Sequence, residues 1–245
     1  SMAAYPFIDI VIPLYNEEKR IEASVRKLRS FLRESAFPYG YRVTLANNAS
    51  TDGSRRIIES LAKEFTDVRI INLEKKGKGL AVRTAWFGSD ADILVFMDAD
   101  MLSDLKFLRS LVDGVISGKC DLAIGNRLGP ASKVYSRRII RKIVSRVYNI
   151  TARIFTGTRV ADHQCGFKAM RKESFLKILP FIQEDGYLFD TEWIAVSSRQ
   201  GLKICPIDII WHDDPDSKVM LIDDSLQVFR SLLKLRQRLA RQPKS

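Results

Sequence analysis

Residues 93–97 read Ile-Leu-Val-Phe-Met and run straight into Asp98-Ala99-Asp100. An unbroken apolar run leaves a strand no polar face to show to water, so this segment is expected to be covered on both sides. A sheet covered on both sides implies an α/β architecture, with helices packed on each face. Side chains alternate along a strand, which puts Asp98 and Asp100 on one side and Ala99 on the other. The two carboxylates then stand together at the carboxyl end of a central strand, where open α/β sheets bind ligands. Two hard oxygen donors there suit Mg²⁺ or Mn²⁺, which in turn would hold a diphosphate. The same pair reads about as well as a strand end with two solvated acids, and the rest of the chain has to decide.

The preceding sequence supplies the neighbours such a strand needs. Residues 9–13 form a first strand that Pro13 is expected to end, because proline cannot donate to a ladder. Leu14-Tyr15-Asn16 leads into a helix over 17–33, with Ile21, Val25, Leu28 and Leu32 at buried spacing and Glu17 and Glu18 in its first turn. A second strand over 41–46 gives way at Asn47-Asn48 to turn formers and helix caps as far as Ser54. The next helix turns Ile57, Ile58, Leu61 and Phe65 inward, and residues 68–73 form a third strand. Lys75-Lys76-Gly77-Lys78-Gly79 opens a helix over 80–87. Glycines and lysines at a helix start resemble a phosphate cradle. The Walker spacing is missing, and taken alone a basic turn is the commoner meaning. After the central strand, a helix carries Leu105, Leu108, Leu111, Val112 and Val115. Residues 121–125 form a fifth strand that ends in Asn126-Arg127. Strands alternating with helices imply right-handed crossovers and a mainly parallel sheet. The 245 residues are read as a single domain over 1–245.

From Pro130 the pattern changes. Over 133–153, Lys133, Arg137, Arg138, Arg141, Lys142, Arg146 and Arg153 interleave with Ile139, Ile143, Val147, Ile150 and Ile154. That reads as a basic amphipathic helix within an excursion over 130–160, in one piece or two. Such a helix suits an anionic membrane surface, although a core-packed helix with a solvated basic face is commoner. Asp162 to Lys168 follows a turn. A helix over 173–179 comes next, and a second helix is entered at 186–193. Residues 202–211 read as one or two strands around Pro206, 212–218 as a polar loop, and 223–241 as a C-terminal amphipathic helix with basic residues exposed. The net charge of +11 favours nucleic acid, anionic lipid or phosphorylated substrates without choosing among them. The three cysteines show no Cys-x-x-Cys spacing, no run approaches a membrane span, and Ser1-Met2 reads as an expression remnant. Reduced thiols in a cytoplasmic protein are the simplest account.

Taken together, Ile12-Pro13-Leu14-Tyr15-Asn16-Glu17-Glu18, Asn47 to Ser54, Lys76-Gly77-Lys78-Gly79, Asp98-Ala99-Asp100 and Gln164-Cys165-Gly166-Phe167-Lys168 resemble the landmarks of family 2 glycosyltransferases with the GT-A fold. The narrower likeness is to dolichyl- and polyprenyl-phosphate sugar synthases. It is carried by Asp162-x-Gln164-Cys165-Gly166-Phe167-Lys168, Phe189-Asp190-Thr191-Glu192 and Trp211…Asp216-Ser217-Lys218-Val219. The resemblance implies an inverting enzyme that moves glucose or mannose from a nucleoside-diphosphate sugar to a polyprenyl or dolichyl phosphate. UDP-glucose is favoured and GDP-mannose is the other donor. The basic helical region over 133–153, assisted by the basic C-terminal helix, is expected to hold the chain peripherally on the cytoplasmic leaflet of a membrane. A family member acting on a soluble saccharide is the alternative. A non-enzymatic nucleic-acid-binding protein is the reading from charge alone, and no nucleic-acid-binding signature supports it.

Residue by residue, the resemblance places Asp98 and Asp100 on the metal. Pro13, Tyr15, Glu17, Asn47, Asn48, Lys78 and Asp98 fall on the nucleotide sugar. Asp100, Arg127, Gln164, Asp190 and Lys218 fall on the reacting groups. Asp190 is also read as a helix cap, His163 as structural or exposed, and Cys165 as a packing residue. Two departures stand out. Asn47-Asn48 replace the family's usual Asp-Asp, and an amide can donate as well as accept toward a base. Leu102 stands where mannose synthases often place a further metal ligand, Gln, so the glucose side of the group fits better.

Overall fold

The computed structural model describes residues 6–101, 103–135, 139–212 and 225–243. Its strands are β1 (Ile8–Leu14), β2 (Tyr41–Asn48), β3 (Val68–Leu73), β4 (Ile93–Met97), β5 (Leu122–Asn126), β6 (Lys133–Tyr135), β7 (Phe167–Arg171), β8 (Ile204–Asp208) and β9 (Ile210–His212). Its α-helices are α1 (Ile21–Glu34), α2 (Ser54–Glu64), α3 (Lys78–Phe87), α4 (Phe107–Ile116), α5 (Ile139–Thr156), α6 (Lys172–Ile178), α7 (Phe189–Arg199) and α8 (Ser225–Arg241).

Seven strands form one sheet in the order β3-β2-β1-β4-β7-β5-β8, and β6 and β9 make a separate parallel pair. Pairings β1–β2, β2–β3, β1–β4 and β5–β8 are parallel, as strand–helix alternation requires. The apolar run of β4 is covered on both faces. Val95 and Met97 join a core with Ile10, Ile12, Val25 and Leu108, while Leu94 and Phe96 join one with Trp86, Phe189 and Trp193.

Strand β7 departs from the expected order. It lies between β4 and β5, antiparallel to both. Phe167 and Ala169 enter the first core and Met170 the second. Lys168 interrupts the apolar pattern that would have announced a strand.

Boundaries differ where local chemistry overrides pattern. Strand β1 runs through Pro13, which pairs with Ala46. Pairing with β4 stops at Val11, so beyond it a missing donor costs the ladder nothing on that flank. Helix α1 begins at Ile21, leaving Glu17 and Glu18 outside its first turn. Asn16 is in the left-handed region at φ 53°, and the Glu17 N–H is held by Ser54 Oγ at 2.8 Å. Together these tie the chain to the β2 loop before it can coil. Lys133 lies on β6, not on the basic helix, and α5 is one helix. Pro206 sits in β8, an edge strand, where a proline is tolerated. Leu102, Arg137, Arg138 and Lys218 lie outside the described residues, as does the side chain of Arg141.

Candidate active site

Four neighbouring segments meet at the carboxyl end of β4. Asp98 leaves the strand with its N–H bonded to Gly166 O at 3.0 Å, and a Cβ on Gly166 would stand 1.9 Å from Asp98 Oδ2. Only glycine lets the carboxylate lie flat against this loop. Lys78, first residue of α3, places Nζ 2.6 Å from Asp98 Oδ1. Its ammonium also sits in the field of Asp190 and Asp100. Burial disfavours the charge, and these acids outweigh burial and hold the group above its ordinary range. Ala99 turns inward, its carbonyl accepting from Ser24 Oγ at 2.7 Å. Met101 follows in the left-handed region at φ 52°. Such a conformation is rare for a bulky residue and marks a shaped loop.

Asp190, on the first turn of α7, does not cap its helix. Its carboxylate takes a short contact from Lys168 Nζ, which also donates to Cys165 O at 2.5 Å. Burial pushes the Asp190 carboxyl up, against the pull of Lys168 and Lys78. Alternating charges thus run Asp98, Lys78, Asp190, Lys168. Arg127, just past β5, is gripped by buried Asp162. Its Nε and Nη2 donate at 2.7 and 2.8 Å, and its backbone N–H donates at 3.0 Å. Burial opposes ionisation of Asp162, but the Arg127 charge and hydrogen bonds prevail and hold the carboxyl below its usual range. Gln164 lies near Tyr187. Its buried Nε2 has no partner among the described residues, so a donor is left for a ligand.

On the other side, the β1 and β2 loops are sewn together. Asn16 donates its N–H to Ser50 Oγ and accepts the Thr51 N–H at Oδ1, and Glu18 takes the Gly53 N–H at 2.7 Å. Glu17 pairs with Arg20 at 2.9 Å. Tyr15 stacks under Lys76, whose Nζ is 3.7 Å from the ring centroid. Asn47 spends its amide on Asn72 and the Ser50 N–H, and Asn48 Oδ1 accepts the Gly77 N–H at 2.5 Å. Both amides are therefore engaged within the protein, and Asn48 fixes the glycine turn that presents Lys78. His163 is fully buried, with Nε2 2.8 Å from Thr158 Oγ1, and burial lowers its pKa to about 4. Burial lifts Cys165 to about 12, which leaves it unreactive.

Asp98, Asp100, Lys78, Arg127, Gln164 and Asp190 gather at one end of the sheet, with Pro13, Tyr15, Glu17, Asn47 and Asn48 on the β1–β2 flank. The sequence reading missed three partners: Lys168, Asp162 as the Arg127 clamp, and Tyr187. Lys168 and Asp162 stood within the motif that carried the likeness, and Tyr187 carried no signal.

A metal can be weighed on the donor set. Among the described residues there is no group of three or more His, Cys, Asp or Glu able to hold an ion. Two carboxylates suffice for a cation that keeps waters and takes the remaining oxygens from substrate phosphates, the habit of Mg²⁺. A positive charge already rests against Asp98, so the acids fit that group.

This sheet order, with an Asp-x-Asp closing its central parallel strand and an antiparallel strand beside it, is the GT-A architecture of nucleotide-sugar transferases. The M. tuberculosis glucosyl-3-phosphoglycerate synthase, solved with Mn²⁺, uridine diphosphate and glucosyl-3-phosphoglycerate, superposes with a TM-score of 0.67 at 20% identity, over 98% of this chain and 82% of its own. Residues 9–179 match the family described as glycosyl transferase family 2, and the chain belongs to that family. It is 33% identical over 239 residues to glycosyltransferase AglD of Haloferax volcanii, spanning 96% of this chain but only 38% of that protein. It is 30% identical over 250 residues to the dolichyl-phosphate beta-glucosyltransferase of Saccharomyces cerevisiae, spanning 94% of this chain and 74% of that protein. The chain is a glycosyltransferase.

Proposed function

We propose that this enzyme transfers glucose from UDP-glucose to a polyprenyl or dolichyl phosphate, with inversion, on the cytoplasmic face of an anionic membrane. The observation that carries the reading is a cavity of about 350 Å³ lined by Arg127, Lys142, Arg146, Val134 and Trp211. Cations and apolar walls together suit a phosphate that ends a hydrocarbon chain. Helix α5, which supplies Lys142 and Arg146, exposes Ile143, Val147, Ile150 and Ile154 at 55–66%. Packed beside it, α8 exposes Phe229 and Leu233. A continuous apolar stripe bordered by lysine and arginine suits a lipid headgroup boundary. No helix among the described residues is long and apolar enough to cross a membrane.

In this reading Tyr15, Glu17 and Asn48 line the base and ribose pocket, and Pro13 and Asn47 shape it. Lys78 and Arg127 neutralise phosphate oxygens, while Gln164 Nε2 and Asp190 orient the sugar. A phosphate monoester is largely ionised near pH 7, so its oxygen attacks the anomeric carbon without a general base. The bond to the diphosphate oxygen breaks as the new one forms. Mg²⁺ or Mn²⁺, held by Asp98 and Asp100, would supply charge neutralisation on the leaving diphosphate.

The test is transfer of radiolabelled sugar from UDP-glucose or GDP-mannose to polyprenyl phosphate in phosphatidylserine vesicles, with Mn²⁺ or with EDTA. Label should enter the lipid from UDP-glucose, and EDTA should abolish it. Ile143→Asp with Ile150→Asp should reduce vesicle binding and lipid transfer together. Label entering 3-phosphoglycerate but not lipid, or equal vesicle binding by the variant, would overturn the reading.

A further inference from the structure

Lys78 stands in an unusual place for a cation. It is the first residue of α3, and a positive charge at a helix start opposes the helix dipole. The fold nevertheless builds it in with care. The turn before it is set by Asn48 on Gly77. Gly77 and Gly79 are pressed against the 184–185 backbone, where a Cβ on either would come within 2.6 Å of a carbonyl oxygen. The Lys78 stem runs beside Phe96 and Phe189, its Nζ 5.3 and 6.0 Å from their centroids. Its ammonium ends on Asp98, with a side-chain exposure of 37%. Asp190 stands within its electrostatic reach, with one carboxylate oxygen engaged by Lys168.

We propose that Lys78 is a displaceable internal counter-ion: it holds Asp98 while no metal is bound and moves to the diphosphate when metal and nucleotide arrive together. This rests on the reading of Asp98 and Asp100 as metal ligands. A divalent ion on Asp98 would stand close to the Lys78 ammonium, and like charges at that separation oppose each other. A divalent ion on Asp98 therefore weakens the 2.6 Å contact of Lys78 and favours its move to another anion. Without nucleotide the other acids in its field are Asp190, with one oxygen engaged by Lys168, and Asp100, itself read as a metal ligand. With nucleotide, the diphosphate oxygens offer two negative charges at the same spot. Metal alone therefore competes with Lys78, whereas metal with nucleotide recruits it. The consequence is binding coupling: the nucleotide raises metal affinity, and by linkage the metal raises nucleotide affinity by the same factor. The device also keeps free divalent ions from saturating the site ahead of donor.

The experiment is Mn²⁺ binding followed by the loss of the free-ion EPR signal, for wild type, Lys78→Met and Lys78→Gln, each with and without UDP. Wild type should bind Mn²⁺ weakly alone and at least tenfold more tightly with UDP. Both variants should bind Mn²⁺ alone at least tenfold more tightly than wild type, and UDP should raise their Mn²⁺ affinity by a clearly smaller factor than it does in wild type. Circular dichroism melts establish that the variants are folded, and the long exposed-end side chains of Met and Gln keep the apolar stem. Variants that bind Mn²⁺ alone no better than wild type overturn the inference. If wild type binds UDP but no Mn²⁺ in its presence, the metal reading itself fails and this inference with it. That result differs from the first, because there wild type retains its UDP-dependent Mn²⁺ binding.

Discussion

Replacing Asp162 by Ala tests a heavily committed buried ion pair. The Asp162 side chain is 0% exposed and that of Arg127 is 18% exposed. The carboxylate accepts two guanidinium bonds and the Arg127 backbone N–H. Truncation strands a half-buried cation and three donors. Breaking one side of a buried pair costs about 3–5 kcal/mol. The cavity beside Arg127 admits solvent to the cation, so the lower end, about 3 kcal/mol, is expected. For a chain of this size that is a fall of about 6–12 °C in Tm. Urea unfolding at pH 7 measures it, as a lower midpoint with an unchanged slope. A cycle with Arg127→Ala and the double variant should show the pair coupled, the double losing less than the sum. The pH dependence has a definite sign. The folded pKa of Asp162 is depressed, so its contribution is full above the unfolded carboxylate value of about 3.9 and is lost as pH falls through the lower folded value. The gap between wild type and variant should therefore close in acid. A loss below 1 kcal/mol at pH 7, or a gap that widens in acid, would refute the argument.

Two further outcomes follow from the same neighbourhood. Gly166→Ala puts a methyl 1.9 Å from Asp98 Oδ2; it should displace the carboxylate and cut turnover at least a hundredfold, an expectation that near wild-type kcat would sink. His163, buried with its pKa lowered to about 4, stays neutral in the fold while the unfolded imidazole protonates near pH 6.5, so its contribution is present above that value and is lost as pH falls toward 4. Relative to wild type, His163→Gln should flatten the pH dependence of the urea midpoint between 6.5 and 4, and an unaltered profile would count against the buried neutral imidazole.

How much of this was legible in the sequence depends on what each feature needs. Apolar periodicity carried the β1–β5 order and the faces of α1, α2 and α4, because burial on a repeating element leaves its period in the chain. Strand alternation pointed to Asp98 and Asp100, but β4 ends at Met97 and both acids stand in the turn after it, where the Met101 N–H donates to Asp98 O at 3.2 Å. Helix starts were less legible. Glu17 and Glu18 have the composition of a first turn, but tertiary bonds to Ser54 and Gly53 hold the chain open for several residues more. The partners of charged groups were illegible for a similar reason. Arg127 and Asp162 are 35 residues apart, and nothing in either local pattern announces the other.

Strand β7 shows why a motif can be readable while its structure is not. The residues from Asp162 to Gly166 precede β7, so a parallel β7 would have carried them to the amino end of the sheet, away from Asp98. Antiparallel pairing, with Met97 opposite Phe167, brings the start of β7 to the end of β4. It thereby delivers Gly166, Gln164 and Asp162 to the two carboxylates. Lys168 is the cost of this arrangement. It stands one residue into the strand, buried at 2% exposure, where its ammonium must be matched by Asp190 across the site. A charged residue in a five-residue strand erases the alternation by which strands are recognised, and here the charge is what ties β7 to α7. The reversed strand and the buried lysine are two parts of one solution, placing loop residues and a helix start around the same pair of acids.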